Sequence, residues 1–362
     1  MAVLLGPPGG DQGLIDYGLW RPGSPDGVGD VYRGRVTAIV PAMAGAFVRL
    51  DGQDGFLPDS RRPDGMTARD LTVGTILTVT VTRAALGGKG ARLSARVDTV
   101  EEGPSGLRRR GPDPLRELAA RHPAADILVD DPGLAATLKV DLGSRVSIVP
   151  HAFSDEIETD VEALASSAVM LDQGGRFSVH PTPALVAIDV DGGGGLMGAD
   201  AAGARHRAVN TEMVPEVARQ IRLRNLSGAI MVDLAGLKAK QRASFAPHFA
   251  AALADDPLRP KFLGFTALGL AEIVRPRVRP PLHELLSGPL AAGLLACRTL
   301  ARETRADPGR RLALRCAPGV ISALEADGVA LADLARVTGR RLNSRADPGL
   351  GPDRWRIEED NG

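Results

Sequence analysis

Two apolar segments of this chain each end near a carboxylate, and these carboxylates are its best candidates for chemistry. Residues 184–191, with the sequence ALVAIDVD, carry Asp189 and Asp191, and residues 231–234, with the sequence MVDL, carry Asp233. If the two segments are neighbouring strands of one sheet, Asp189 and Asp233 lie within reach of one divalent cation. Carboxylate oxygens are hard ligands that suit magnesium or manganese. The pattern therefore predicts metal-assisted phosphodiester chemistry.

Aspartates at strand ends also have a purely structural use, because they cap turns and helices. Without further information the spacing favours that capping use. Asp191 could add a ligand, orient a water molecule or only change the local charge. The six histidines are scattered without metal-ligand spacing, and we assign all of them to structural or surface positions.

The hydrophobic pattern predicts the elements that would carry these residues. Alternating apolar residues indicate five short strands between residues 29 and 99, which is typical of a small OB-type barrel. Residues 100–114 form a charged linker that is rich in glycine and proline. From residue 115 onward helices and strands alternate, which indicates α/β structure.

Further along the chain the pattern predicts helices on both sides of the second acidic strand. One helix covers residues 210–224 with Asn210 as its N-cap, and a long helix covers residues 238–256. The last 65 or so residues form a small α/β module.

Composition limits the classes of protein that the chain can belong to. Its 362 residues include 44 Lys plus Arg and 44 Asp plus Glu, so the chain lacks the overall basic excess of many nucleic-acid binders. Cys297 and Cys316 lack CxxC spacing and are expected to be reduced, buried thiols. Neither a signal peptide nor a membrane-spanning run is apparent, so we expect a soluble, cytoplasmic protein without a membrane partner.

Four segments of the chain, in this order, form a recognisable set: VYRGRVTAIVPAMAGAFVRLDGQDGFLP, ALVAIDVDGG, NTEMVPEVARQIRLRNLSGAIMVDL and LGLAEIVRPRVRPPL. They resemble the ribonuclease E/G family of bacterial endoribonucleases, and the resemblance covers most of the chain. The third segment, a helix followed by a strand, gives the most specific match.

The resemblance implies an α/β multidomain fold. An OB-type RNA-binding barrel at residues 29–99 would be inserted in a ribonuclease-H-like domain made from residues 1–28 and 112–165. A DNase-I-like catalytic α/β domain would follow at residues 166–286, and a small C-terminal domain at residues 290–362.

The resemblance also implies roles for individual residues. Asp189 and Asp233 match the two metal-binding aspartates of the family, with magnesium as the expected cation and manganese as an alternative. Asp191 stands where the family usually has asparagine, and we include it with the catalytic residues.

Three barrel residues match family positions that grip single-stranded RNA, namely Phe47, Phe56 and Lys89. Each phenylalanine could instead belong to the barrel core. Lys89 lies in a glycine-rich turn and is expected to meet phosphate.

The proline-rich segment 275–281 is a second candidate for RNA contact. Its prolines would hold it extended, so that Arg275 and Arg277 could follow a phosphate backbone. Arg279 belongs to the same arm, and a solvated arm is the alternative. We treat Lys238, Lys240 and Arg242 as solvated helix residues.

Three departures from the family pattern bear on assembly and activity. Only Cys297 lies near the place of the family's zinc-link cysteine pair, so a zinc ion shared between subunits is not expected. A homodimer is one oligomeric state that remains open. The linker after Val97 is too short for the family's 5′-monophosphate sensor. Ala235 and Gly236 stand where the family has its second acidic position.

Together these features predict a magnesium-dependent endoribonuclease of RNA processing or decay. It would cleave single-stranded RNA by hydrolysis to 5′-phosphate and 3′-hydroxyl ends. The departures motivate an alternative, a catalytically weak or inactive RNA-binding protein of the same family. A weaker alternative is an assembly or ribosome-associated factor that acts through the barrel.

Overall fold

The computed structural model describes residues 2–5, 13–63, 66, 71–86, 88–171, 174–192 and 199–360. The chain divides into two compact units, one of Met1–Gly18 with Asp26–Pro281 and one of Leu19–Pro25 with Leu282–Gly362. The domain limits expected from the sequence are finer than this division and stay predictions. Within the described ranges, none of the helices is long and apolar enough to cross a membrane.

The first unit begins with a strand pair and continues into a barrel. The antiparallel pair consists of β1 (Ala2–Leu5) and β2 (Leu14–Gly18). The barrel strands are β3 (Val31–Val40), β4 (Gly45–Arg49), β5 (Asp54–Pro58), β6 (Ile76–Arg83), β7 (Arg92–Ser94) and β8 (Gly106–Arg109).

The barrel closes because the long strand β3 pairs with both β4 and β6. The sheet order is β4-β5-β7-β6-β3-β8, so the pairing of β3 with β4 joins the two sides. Alternate residues point inward, and Ala46, Val48 and Leu57 are fully buried in the core. Closure involves the five strands β3 to β7, while β8 pairs only with β3 outside it, so the predicted OB-like barrel of five strands is confirmed.

One part of the predicted linker is wrong. Residues 106–109 form β8, which pairs antiparallel with β3 at the edge of the barrel. This four-residue strand, GLRR, has no alternation of apolar and polar residues, so the sequence pattern does not indicate it.

The segment after the barrel alternates helices with short strands. It contains α1 (Pro114–Arg121), β9 (Ile127–Val129), α2 (Pro132–Leu142), β10 (Val146–Ile148) and α3 (Asp155–Ala163). The Asp113 side chain accepts a hydrogen bond from the backbone N–H of Arg116, and the Asp131 side chain accepts one from the backbone N–H of Leu134. These N-caps explain why α1 and α2 begin where they do.

The predicted pairing of residues 1–28 with 112–165 in one ribonuclease-H-like domain stays a prediction. Helix α1 lies against β1 and β2. In the described residues, however, β9 pairs with β10 and β1 pairs with β2, and no ladder joins the two pairs.

A second six-stranded sheet carries both acidic strands. Its elements are β11 (Ala168–Met170), β12 (Arg176–Pro181), β13 (Val186–Asp191), α4 (Ala199–Leu223), β14 (Gly228–Asp233), α5 (Ala239–Ala243), α6 (Ala246–Ala252), β15 (Lys261–Phe265) and β16 (Ala271–Arg275). The strand order is β11-β12-β13-β14-β16-β15, and only β13 and β14 run parallel. They are joined through α4 as a βαβ unit.

Apolar residues on one face of this sheet form the core with α4 and α6. Val209, Met213, Val217 and Ile221 are fully buried at helical spacing on α4. The opposite sheet face carries Asp189, Asp191, Asp233 and Glu272, which is the alternation expected of a sheet with one wet side.

Two helix predictions in this region are wrong. Asn210 lies in the middle of α4 rather than at its N-cap, because the helix already begins at residue 199. The long helix over residues 238–256 is interrupted between α5 and α6. Pro247, which lacks a backbone N–H, lies in the first turn of α6, where the helix restarts.

The second unit is a small α/β module, as the sequence predicts. It contains α7 (Leu282–Leu285), α8 (Gly288–Ala306), β17 (Leu312–Cys316), α9 (Pro318–Ala326), α10 (Gly328–Thr338), β18 (Asn343–Ala346) and β19 (Trp355–Glu359). Strand β17 is central, with β18 parallel and β19 antiparallel to it. Cys297 and Cys316 are free thiols within its core.

The core position of these thiols predicts low reactivity in the native protein. Burial raises the pKa of Cys297 to about 11, and burial also raises the pKa of Cys316. Since the thiolate is the reactive form, only about 0.1% of Cys297 is reactive at pH 8. We expect both thiols of the native protein to react slowly with an aromatic disulfide reagent at pH 8, and both to react fast in denaturant. The absorbance of the aromatic thiolate that the reagent releases measures the two rates. Equal rates in the two conditions would contradict the burial of this core.

Candidate functional site

The two aspartates expected to share a cation lie opposite each other on neighbouring strands. Asp189 on β13 is in register with Asp233 on β14, and these strands are parallel. The flanking residues Ile188, Val190 and Val232 are buried in the core. Both aspartates therefore belong to the open face of the sheet, with strand backbones about 4.8 Å apart.

The two carboxylates have different surroundings. Asp189 is exposed, and no described residue forms a side-chain hydrogen bond or ion pair with it. Asp233 Oδ1 accepts a hydrogen bond from Arg242 Nη1 at 2.7 Å. The Arg242 guanidinium is held by the carbonyl oxygens of Gly269 at 2.9 Å and Leu237 at 2.8 Å. Arg242 is thus a fixed counter-charge and not the solvated helix residue that we expected.

Asp191 lies two residues beyond Asp189 and belongs to the same open face. Its carboxylate forms an ion pair with Arg176 of β12, with Arg176 Nη2 3.1 Å from Asp191 Oδ2. Both side chains are at least half exposed, so the pair contributes little to stability. The pair does give this third carboxylate a local positive neighbour.

Helix α4 fixes the ends of both acidic strands from behind. The buried Asn210 side chain donates to the carbonyl of Ala235 at 3.0 Å and accepts from its N–H at 3.1 Å. Arg205 Nε donates to the carbonyl of Gly192 at 2.9 Å. These contacts hold Gly192, which directly follows Asp191, and Ala235, which is two residues after Asp233.

His206 fills the space between the two strand ends. A Cβ on Gly236 would lie 2.2 Å from His206 Nδ1, and a Cβ on Gly192 would lie 2.9 Å from His206 Cδ2. Both positions therefore require glycine for this packing, and Gly236 also has a positive φ of 57°. The i, i+4 spacing of His206 and Asn210 places both on one face of a helix and is the sequence signal for this pair.

The oxygen donors of the acidic pair fit a magnesium-type cation. Magnesium typically takes one or two protein carboxylates and completes its shell with water and substrate phosphate. Asp189 and one oxygen of Asp233 provide such a partial shell. In the described part of the chain, no group of three or more His, Cys, Asp or Glu side chains could hold a metal ion by itself. A cation here would depend on water and a bound phosphate for its remaining ligands.

The predicted aromatic residues meet on the outside of the barrel. Phe47 of β4 pairs in register with Phe56 of β5, and the ring centroids lie 5.6 Å apart in an edge-to-face arrangement. Both rings are only partly buried, since their neighbours Ala46 and Leu57 fill the core instead. A Cβ on Gly45 would lie 2.4 Å from Phe56 Cζ, so this glycine makes room for the ring.

The predicted basic residues have three different environments. Lys89 is exposed in the turn after β6. Arg277 is exposed, and no described residue pairs with it. Arg279 binds Asp26 and Glu117, whose charges outweigh the effect of burial and raise its pKa.

The RNA-binding prediction for Arg275 is wrong. Its side chain is 3% exposed and forms an ion pair with Asp256, which is equally buried. Arg275 Nη1 also donates to Asn225 Oδ1 at 2.7 Å and to the Leu226 carbonyl at 3.0 Å. RNA cannot reach this guanidinium, because inward-facing positions on β16 point into the protein.

Two parts of the chain match known families. Residues 135–278 match the model of the “Ribonuclease E/G family”, and residues 26–96 match the “S1 RNA binding domain”. The first range contains the whole acidic sheet and the first part of the arm after β16, and the second contains the closed barrel.

Several curated proteins are similar to the chain over part of their length. A chloroplastic ribonuclease E/G-like protein of Arabidopsis thaliana is 33% identical over 173 residues, which is 45% of this chain and 17% of the relative. Ribonuclease E of a Nostoc strain is 37% identical over 131 residues, or 35% of this chain and 19% of the relative. Ribonuclease G of Escherichia coli K12 is 25% identical over 215 residues, or 53% of this chain and 42% of the relative. The chain thus spans less than half the length of these relatives.

The buried pair of Arg275 and Asp256 predicts a stability effect. Arg275→Met leaves the Asp256 carboxylate buried without its partner, which should lower the free energy of unfolding by about 3–5 kcal/mol. Arg277→Met changes an exposed residue and should change the free energy of unfolding by less than about 0.5 kcal/mol. Urea unfolding followed by circular dichroism measures both. Equal stabilities of the two variants would show that the Arg275 pair is not buried.

Proposed function

The chain belongs to the ribonuclease E/G family through its residues 135–278, and we propose that it is an endoribonuclease acting on single-stranded RNA. The observation that carries this proposal is the register of Asp189 with Asp233 on the open face of the acidic sheet. Two carboxylates at this spacing, in the same compact unit as a barrel with partly exposed aromatic rings, would combine a cutting site with a capture surface.

Asp189 and Asp233 would hold a divalent cation, with magnesium as the preferred ion and manganese as an alternative. Such a cation lowers the pKa of water and neutralises charge on a phosphate. Hydrolysis in line with the leaving oxygen would give 5′-phosphate and 3′-hydroxyl ends.

Arg242 has a positioning role in this proposal. Its hydrogen bond orients the Asp233 carboxylate, and its charge offsets part of the repulsion between two aspartates and an incoming phosphate. Asp191 would stay outside the direct cation shell, where Arg176 offsets the charge that this aspartate adds.

The barrel would capture the RNA strand before cleavage. Phe47 and Phe56 offer partly exposed ring faces on which bases can stack without regard to sequence. Lys89 and Arg277 supply exposed positive charges for the phosphate backbone. The neutral net charge of the chain is compatible with this role because the relevant charges are local.

A second candidate function is RNA binding without efficient cleavage. Arg242 already occupies one oxygen of Asp233, and residues 235–236 supply no further carboxylate beside the pair. These features would weaken cation binding while leaving the barrel surface intact. The homodimer and the cytoplasmic location expected from the sequence remain parts of the proposal.

Substitution of the acidic pair tests the catalytic proposal. Asp189→Asn and Asp233→Asn should each lower the rate of cleavage of a fluorogenic single-stranded RNA by at least about 100-fold, because cation-based charge stabilisation contributes several kcal/mol. EDTA should abolish cleavage, and magnesium should restore it. Asp255→Asn, at an exposed aspartate outside the site, is the matched control.

The outcomes separate the two candidate functions. If both pair variants cleave at the wild-type rate, the assignment of Asp189 and Asp233 is wrong. If the wild-type protein binds RNA but no divalent metal supports cleavage, the binding-only function replaces the endoribonuclease.

Removal of the aromatic rings tests the capture surface. Phe47→Ala and Phe56→Ala should each weaken binding of single-stranded RNA, since stacking contributes about 1–3 kcal/mol per base. Phe47→Tyr keeps the ring face and should retain affinity. Fluorescence anisotropy in EDTA measures binding without cleavage. Wild-type affinity in both alanine variants, with unchanged melting curves, would assign the two rings to packing alone.

A further inference from the structure

Three arginines from separate segments meet where the barrel adjoins the arm after β16. Arg83 ends β6 and is in register with Arg92 of β7. Arg277 follows β16 by two residues. The arm and the barrel are joined there by a backbone hydrogen bond, in which the Ala84 N–H donates to the Val278 carbonyl at 2.8 Å. Because Ala84 and Val278 directly follow Arg83 and Arg277, this bond fixes the two arginines as neighbours.

The three guanidiniums lack negative partners in the described structure. None of them forms an ion pair or a side-chain hydrogen bond with a described residue. Burial lowers the pKa of Arg83, and the charges of Arg92 and Arg277 lower it further. Arg92 and Arg277 are exposed, and Arg83 is half-buried, so an anion can approach the group from solvent.

This arrangement contrasts with three other arginines on the arm and the barrel. Arg275 and Arg279 on the same arm each have a carboxylate partner, and so does Arg49 on the neighbouring barrel strand. Three adjacent like charges without a carboxylate repel one another, and a bound anion would relieve that repulsion. Guanidinium groups suit phosphate in particular, because their planar N–H groups bind its oxygens in pairs.

The arginine group continues directly from the aromatic pair. Phe56 is in register with Phe47 on one side and with Arg92 on the other. Across the outer surface of the barrel the order is therefore Phe47, Phe56, Arg92 and Arg83, followed by Arg277 on the arm. Ring faces for bases thus lie next to cations for the phosphates that connect those bases.

We propose that Arg83, Arg92 and Arg277 form a phosphate-binding site that holds the RNA backbone next to the bases stacked on Phe47 and Phe56. The proposal rests on the proposed function, because it takes single-stranded RNA as the ligand. It adds a site at the junction of the barrel and the arm, two of whose three residues carry no signal in the sequence.

The location of this site also fixes a distance to the acidic pair. The Arg277 Nη2 atom lies 3.8 Å from the position of a Cβ on Gly228, which is the first residue of β14. Asp233 is the last residue of the same strand, and a strand rises about 3.3 Å per residue, so the two ends are about 17 Å apart. A rigid strand between them would keep a constant number of nucleotides between the held phosphate and the cleaved bond.

Binding measurements in EDTA test the site without any dependence on catalysis. The full chain and its Arg83→Gln, Arg92→Gln and Arg277→Gln variants are titrated with labelled single-stranded RNA at several salt concentrations. Each variant should bind about 10-fold more weakly, as expected for the loss of a charged hydrogen bond. Each variant should also reduce the salt slope, which is the slope of log affinity against log salt concentration, by about 0.7. Lys139→Gln removes one exposed positive charge from α2 and is the control for a general charge effect.

Neutral methylphosphonate linkages, placed one at a time along the RNA, locate the contact. At one or two adjacent positions, the neutral linkage should weaken binding to the wild-type protein. At the same positions it should not weaken binding to Arg92→Gln any further, because this variant has already lost the contact. Arg92→Lys should restore much of the salt slope and less of the affinity, because it keeps the charge but not the paired N–H groups.

Two outcomes would overturn the proposal. If the wild-type protein binds RNA but the three glutamine variants match Lys139→Gln in affinity and salt slope, the phosphate site is wrong while the proposed function stands. If the wild-type protein does not bind single-stranded RNA at all, the site and the proposed function fall together. Unchanged melting temperatures of the variants would assign any loss of binding to the site and not to unfolding.

Discussion

The parallel pairing of β13 with β14 is the constraint on which the site depends. It places Asp189 opposite Asp233 at the spacing of adjacent strands, on a face that water reaches. Two like charges at this distance repel each other, so the arrangement is stable only where positive charge or solvent offsets the repulsion. Arg242 supplies part of that charge at Asp233, and Asp189 retains its full capacity for a cation or a solvent partner.

The rest of the sheet keeps this pair in place. Apolar residues on the inner face fix the strands against α4, and Asn210 and Arg205 hold the backbone within two residues of each strand end. His206 packs between Gly192 and Gly236, so the two strand ends cannot move together without displacing a ring. A cation site with only two protein carboxylates depends on such rigidity, because errors of about 0.5 Å already weaken a preorganised site.

Charge is separated locally in a chain whose net charge is zero. The open face of the sheet carries exposed carboxylates, while the outer barrel and the arm carry arginines without carboxylate partners. Repulsion by the acidic pair and attraction by the barrel would act on different parts of one RNA strand. The RNA would then be drawn to the barrel, and it would approach the acidic pair only where a cation neutralises the two carboxylates.

The sequence by itself determined the closed barrel, the two acidic strands and the family, because alternation and strand-end carboxylates are local features that survive without knowledge of distant contacts. It did not determine the burial or the pairing of Arg242, Arg275 and Arg277. Nothing in the local sequence around these three arginines distinguishes a buried side chain from an exposed one. Their neighbours come from other segments of the chain. Asp233 and Gly269 bind Arg242, Asp256 and Asn225 bind Arg275, and Arg83 and Arg92 lie near Arg277 without pairing with it. Only the tertiary structure decides which arginine is buried, which is a counter-charge and which stays open to an anion, because burial and pairing depend on segments that folding brings together.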